Sequence, residues 1–177
     1  MSGSKEMEKR LLERLAHELG ALGFPTEMLR PEAERKEAVL LILLENLGDR
    51  EDRRSVEAAF LPRKEEEIER YGYNVLQLYS LLKEELPRGA CNELARAVLR
   101  LNTKIPGGAF GIDERRKTLY YKSSIVITDN MDDSVGYALV EIQLGIFLQT
   151  LDYCNDVLMD ITDGIRTAGE AIRKGLM

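Results

Sequence analysis

The chain reads as an α+β domain: a five-stranded antiparallel sheet packed with helices, in the order α-β-β-β-α-β-β-α. Three observations point there. Apolar residues recur at helical spacing in three separate stretches, strand-like runs of Val, Ile, Leu and Tyr lie between them, and charged or Gly- and Pro-containing turns mark the boundaries. The 177 residues, 44% hydrophobic and 32% charged, suit one soluble domain over 1–163 with a C-terminal helical extension over 164–177.

The first helix is expected over Ser4 to Gly23. Met7, Leu11, Leu15, Leu19 and Leu22 fall on one face, Ser4 offers an N-cap, and Gly23 with Phe24-Pro25 supplies the stop. Pro25 to Arg35 reads as a polar connector. The run from Glu37 to Asn46, EAVLLILLEN, suits a strand buried on both faces or a short helix, and its length and neighbours favour the strand. A charged turn through Gly48-Asp49 leads into Val56 to Leu61, so the pair reads as a hairpin stopped by Pro62. Arg63 to Arg70 is a charged loop or helical turn. Tyr73 to Leu82 places Leu76, Leu78 and Leu82 on one parity and reads as the third strand.

A second helix follows Pro87, over about Arg88 to Lys104. Cys91, Leu94, Ala95, Val98, Leu101 and Asn102 share helical spacing, and Pro106 ends the run by excluding the residue before it from helical geometry. Ala109 to Asp113 and Thr118 to Thr128 form the last two strands, the longer one enriched in Tyr and Ile. The acidic stretch DNMDD, Asp129 to Asp133, caps a final helix reaching Asp163. That helix has two apolar rows. One is Val135, Leu139, Ile142, Ile146, Tyr153 and Val157; the other is Leu144, Phe147, Leu148, Leu151, Cys154 and Leu158. If the first row covers the sheet, Leu144, Phe147, Leu148 and Leu151 are left as an exposed partner or dimer surface.

Charge narrows the function classes. Lys and Arg number 25 and Asp and Glu 31, for a formal charge of -6, which disfavours sequence-independent binding to nucleic acid. Cys91 and Cys154 belong to no CxxC, and His17 alone cannot complete a zinc site with them, so both read as reduced core thiols. No 18-residue apolar run predicts a membrane span, and the opening MSGSKEMEKRLLERL has no signal-type apolar core, so the cytoplasm is the expected compartment.

The stretch from Asn74 to Ile127 resembles the YbjN family of bacterial proteins. The resemblance is carried by Leu101-Asn102, Pro106, Gly108, Phe110, Asp113 and Tyr120-Tyr121. It implies a fold like that of type III secretion chaperones, often dimeric, and it implies no catalytic residues.

The glycine-rich stretch from Asn102 to Asp113 invites comparison with a phosphate-binding loop. Such loops follow a strand and open a helix. This one follows a helix, opens a strand and lacks the Lys-Ser/Thr of a P-loop, so Pro106, Gly107, Gly108 and Gly111 are expected to form a structural corner. A calcium loop starting at Asp129 would need Gly at Ser134 and Glu at Val140, and neither is present. Asp152, Asp156, Asp160 and Asp163 line one helix face, as a solvated face or an acidic docking face for a basic partner. His17 and Ser123-Ser124 lack catalytic companions in sequence. No cofactor or metal is expected.

These readings favour a non-enzymatic interaction module, a chaperone-like or regulatory adaptor that acts as a homodimer and binds another protein. The alternative is a small-molecule sensor or enzyme with a pocket between sheet and last helix, lined by Tyr120, Tyr121 and Tyr137.

Overall fold

A computed structural model describes residues 3–32, 37–87 and 89–177. Its elements in chain order are α1 (Gly3–Ala21), β1 (Thr26–Leu29), β2 (Val39–Leu47), β3 (Asp52–Phe60), α2 (Glu65–Tyr71), β4 (Tyr73–Lys83), α3 (Cys91–Asn102), β5 (Ala109–Asp113), β6 (Thr118–Thr128), α4 (Asp133–Thr162) and α5 (Ala168–Arg173). The sheet is six-stranded, ordered β1-β2-β3-β4-β6-β5, and its β1–β2, β3–β4 and β5–β6 pairs are antiparallel.

The α+β class stands, and the five-stranded order α-β-β-β-α-β-β-α is corrected. The additional strand, β1, lies inside the expected polar connector. Thr26 to Leu29 pair residue for residue with Ile42 to Val39. Four residues are too few to show a period, and Pro25 and Pro31 bracket them, which suits only an edge strand. Pairing with β2, not local propensity, makes this strand. The charged run before β4 takes the helical option as α2, with Glu66 and Glu67 in its first turn and Arg70 in its last, signs that suit the helix dipole. Residues 33–35 of the expected connector, and Arg88 at the expected start of the second helix, lie outside the described residues.

Packing groups the chain into two compact units. The first comprises Met1–Leu44, Ser55–Tyr79 and Ser124–Gly145; the second comprises Glu45–Arg54, Ser80–Ser123 and Ile146–Met177.

In the first unit α1 buries Leu11, Leu12, Leu15 and Leu19. Leu22, expected on that face, lies beyond the helix and is exposed. Ser4, expected as the N-cap, falls inside the helix, which begins at Gly3. The helix stops as expected at Gly23: the Phe24 N–H returns to the Leu19 carbonyl and the Gly23 N–H to that of Gly20, both at 3.0 Å. The Glu37 to Asn46 run is a strand, with Leu40, Ile42 and Leu44 buried on one side. In β4 the expected parity holds, and Leu76 and Leu78 are fully buried.

The second unit holds α3, which buries Leu94, Ala97, Val98 and Leu101; Ala95, expected inward, is exposed. Cys91, expected in the core, is only half-buried. Its C-terminal tail is not a free extension: the Ala168 N–H donates to Glu93 Oε2 on α3 at 2.7 Å, and Thr167 and Glu170 form a capping box at the start of α5.

The glycine corner joins α3 to β5. Asn102 closes it, its side-chain amide donating to the Phe110 carbonyl (3.0 Å) and its side-chain oxygen accepting the Phe110 N–H (2.9 Å). Gly107 gives its carbonyl to the Tyr121 hydroxyl. Gly108 has φ +72°, and a Cβ there would lie 2.6 Å from the Lys122 carbonyl and 2.9 Å from the Tyr121 hydroxyl oxygen. Gly111 faces Tyr120 across the β5–β6 pair, and the ring occupies the space a side chain would need. Pro106 precedes this on the exposed side.

Gly108→Val combines backbone strain with a clash against strand backbone, so it should destabilise the protein by about 1–3 kcal/mol. Urea denaturation measures this; an unchanged midpoint would show that the corner relaxes freely.

Candidate interaction surface

Helix α4 is the element that carries the candidate surface. Asp132 caps it, accepting the Ser134 N–H at 2.8 Å and the Ser134 hydroxyl. Those bonds, the hydroxyl's first, hold the Asp132 carboxyl below its ordinary range. Among the described residues α4 is the one helix long and apolar enough to cross a membrane by length and mean hydropathy. Its apolar residues are split between two sides.

The assignment of those sides is the reverse of the sequence reading. Leu144, Phe147 and Leu151 are buried, and Leu148 is half-buried, so they form no exposed patch. Phe147 stacks on Tyr121 with centroids 4.4 Å apart, and Tyr121 stacks on Phe110 at the same spacing. Such aromatic pairs contribute roughly 0.5–1.5 kcal/mol each beyond area burial, which decides the row: the aromatic ring goes inward. The exposed apolar residues of α4 belong to the other row, namely Val135 (51% exposed), Leu139 (40%), Ile142 (62%) and Tyr153 (69%). Val157, at the row's end, is buried.

The acidic ladder is not a free docking face. Asp152 accepts the Gly48 N–H at 2.8 Å and Asp156 the Asp49 N–H at 2.7 Å. Arg50 reaches Asp160 (3.1 Å) and Asp163 (2.7 Å), and Arg166 and Lys83 also approach Asp160 and Asp163. The hydrogen bond that Arg50 donates to Asp163 is the largest of the influences that raise the Arg50 pKa. Four carboxylates at helical spacing thus grip the β2–β3 turn. Gly48 sits there with φ +64°, and a Cβ would run into the Asp156 carboxylate. Asn155, fully buried between them, donates to Asp52 and Asp156 and accepts from Arg54.

The tyrosines expected to line a pocket are otherwise engaged. Tyr121 is closed into its aromatic stack, and burial raises its pKa. Tyr137 lies under the Arg14 guanidinium at 3.9 Å. Tyr120 covers Gly111. A cleft of about 420 Å³ opens instead among Lys5, Lys9, Leu12, Met28, Arg30 and Phe60 in the first unit. A smaller groove of about 230 Å³ lies in the second, among Leu101, Ile105, Pro106, Ile146, Tyr153 and Met177. His17 is exposed and Ser123 buried. Among the described residues no group of three His, Cys, Asp or Glu side chains is arranged to hold a metal.

Against this geometry the sequence was compared with known proteins: it matches no protein-family model and no curated protein sequence.

Two measurements follow from these contacts. Gly48→Ala should cost about 1–3 kcal/mol of stability through its left-handed backbone and its collision with Asp156, and the loss should be smaller in an Asp156→Ala background. Additive losses in that double-mutant cycle would separate the turn from the ladder. Burial pushes the Cys154 thiol up to about 12, whereas Cys91 is half-buried. A thiol reagent at neutral pH should therefore modify Cys91 in the native protein and Cys154 only after unfolding, as read by mass spectrometry.

Proposed function

We propose that the protein is a non-enzymatic interaction module, a chaperone-like or regulatory adaptor that binds another polypeptide through the exposed row of α4. The observation that supports this is the joint exposure of Val135, Leu139 and Ile142 on one helix face. Isolated exposed apolar side chains are ordinary on protein surfaces, but three on adjoining turns form a contiguous patch of the kind that marks interaction sites. The resemblance of Asn74 to Ile127 to YbjN domains favours the same style of action and rests on its motif residues alone. The homodimer expected from the sequence would have to use Leu139 and Ile142, because Leu144 and Phe147 are buried.

The pocket alternative has less behind it, because Tyr120, Tyr121 and Tyr137 line neither of the two cavities described above. A photo-crosslinking residue placed at 142 in the native cell tests the reading. Adducts to polypeptide are expected there and not at the exposed polar position 122. Equal yields from the two positions would defeat it.

A further inference from the structure

We infer that the occupant of the α4 row is a basic amphipathic helix from another protein, an inference that rests on the interaction reading above. Two observations carry it. The first is spacing. Val135, Leu139 and Ile142 lie four and three residues apart, the repeat at which one helix presents a continuous seam to another. Helix-in-groove partners are read through side chains at the matching i, i+3, i+4 and i+7 positions.

The second is charge. Between Lys122 and Arg166 the chain contains no Lys, Arg or His, while it contains Asp129, Asp132, Asp133, Glu141 and the four ladder aspartates. Asp132, one turn before the row, and Glu141, within it, are both exposed. The bases that approach α4 from α1 are already engaged, Arg10 with Asp133 at 3.3 Å and Arg14 over the Tyr137 ring. Arg10 offsets Asp133 and Arg14 offsets Glu18 at 3.7 Å, so the charge left unbalanced beside the seam is that of Asp132 and Glu141. A second copy would add its own Asp132 and Glu141 to an acidic flank, and an anionic lipid surface would be repelled by those carboxylates. A helix with Leu or Ile along one side and Lys or Arg beside it satisfies both features. The apolar row then supplies most of the affinity, and the carboxylates supply orientation, partner choice and encounter rate.

The test uses the full chain and three labelled 18-residue peptides followed by fluorescence anisotropy. One is a Leu/Lys amphipathic helix, one has the same apolar face with Glu for Lys, and one is a scrambled Leu/Lys sequence with no apolar face. The Leu/Lys helix should bind at least about tenfold more tightly than either of the others, and added salt should weaken it. Leu139→Ser/Ile142→Ser should reduce that binding by roughly tenfold or more, with a native circular-dichroism spectrum and a cooperative thermal transition well above the assay temperature. Glu141→Lys should reduce it several-fold while leaving the Leu/Glu helix no weaker.

Equal affinity for the Leu/Lys and Leu/Glu helices would overturn the basic partner while leaving the interaction row in place. Binding that survives the double serine variant would overturn the row itself. A particle of twice 20.1 kDa in light scattering, split by Ile142→Ser, would assign the row to a second copy instead.

Discussion

A helix with apolar residues on most of its circumference cannot bury all of them against one layer. That constraint on α4 governs much of what the structure does. The side that turns inward carries Val140, Leu144, Phe147, Leu151 and Cys154. The aromatic stack explains the choice in the second unit, where Phe147 completes a series of three rings with Tyr121 and Phe110. Large planar side chains gain most from close packing. Val135, Leu139 and Ile142 of the other row are then left to water as an apolar seam.

The chain's acidity has a related explanation. Much of the negative charge at Asp152, Asp156, Asp160 and Asp163 is engaged inside the fold, on two backbone N–H groups of a tight turn and on Arg50, Arg166 and Lys83. Individual exposed ion pairs contribute little, but a connected set that also accepts backbone N–H groups fixes the turn's position. What remains exposed and acidic beside the seam, Asp132 and Glu141, is a smaller and more local signal than the net charge of -6 suggests.

The corner between α3 and β5 works through Asn102. Its amide reproduces the two hydrogen bonds that a neighbouring strand would offer Phe110, so the outer edge of β5 is satisfied at its start while the other edge pairs with β6. In the sequence Asn102 read as one more position of a helical row. The signal that could have revealed its role is chemical: an Asn at the end of an apolar helix stripe, seven residues before a strand, carries a donor and an acceptor that the helix itself does not need.

The sequence by itself determined the α+β class, the strand identity of EAVLLILLEN, the buried parity of β4, the stop at Gly23 and the place of the glycine corner. Each is a local consequence of side-chain period or of backbone permitted only to Gly and Pro, so it is legible without knowing what lies across the fold. Only the tertiary structure decided that Thr26 to Leu29 is a strand, that Ala97 rather than Ala95 faces inward, that the Asp152 to Asp163 ladder holds a turn, and that Val135, Leu139 and Ile142 rather than Leu144, Phe147 and Leu151 face water. All four depend on partners distant in sequence: the β2 edge, the packing around α3, the Gly48–Arg50 turn and the Tyr121 ring. Periodicity can show that a helix has two apolar sides, but it contains no information about which side meets an aromatic ring twenty-six residues away.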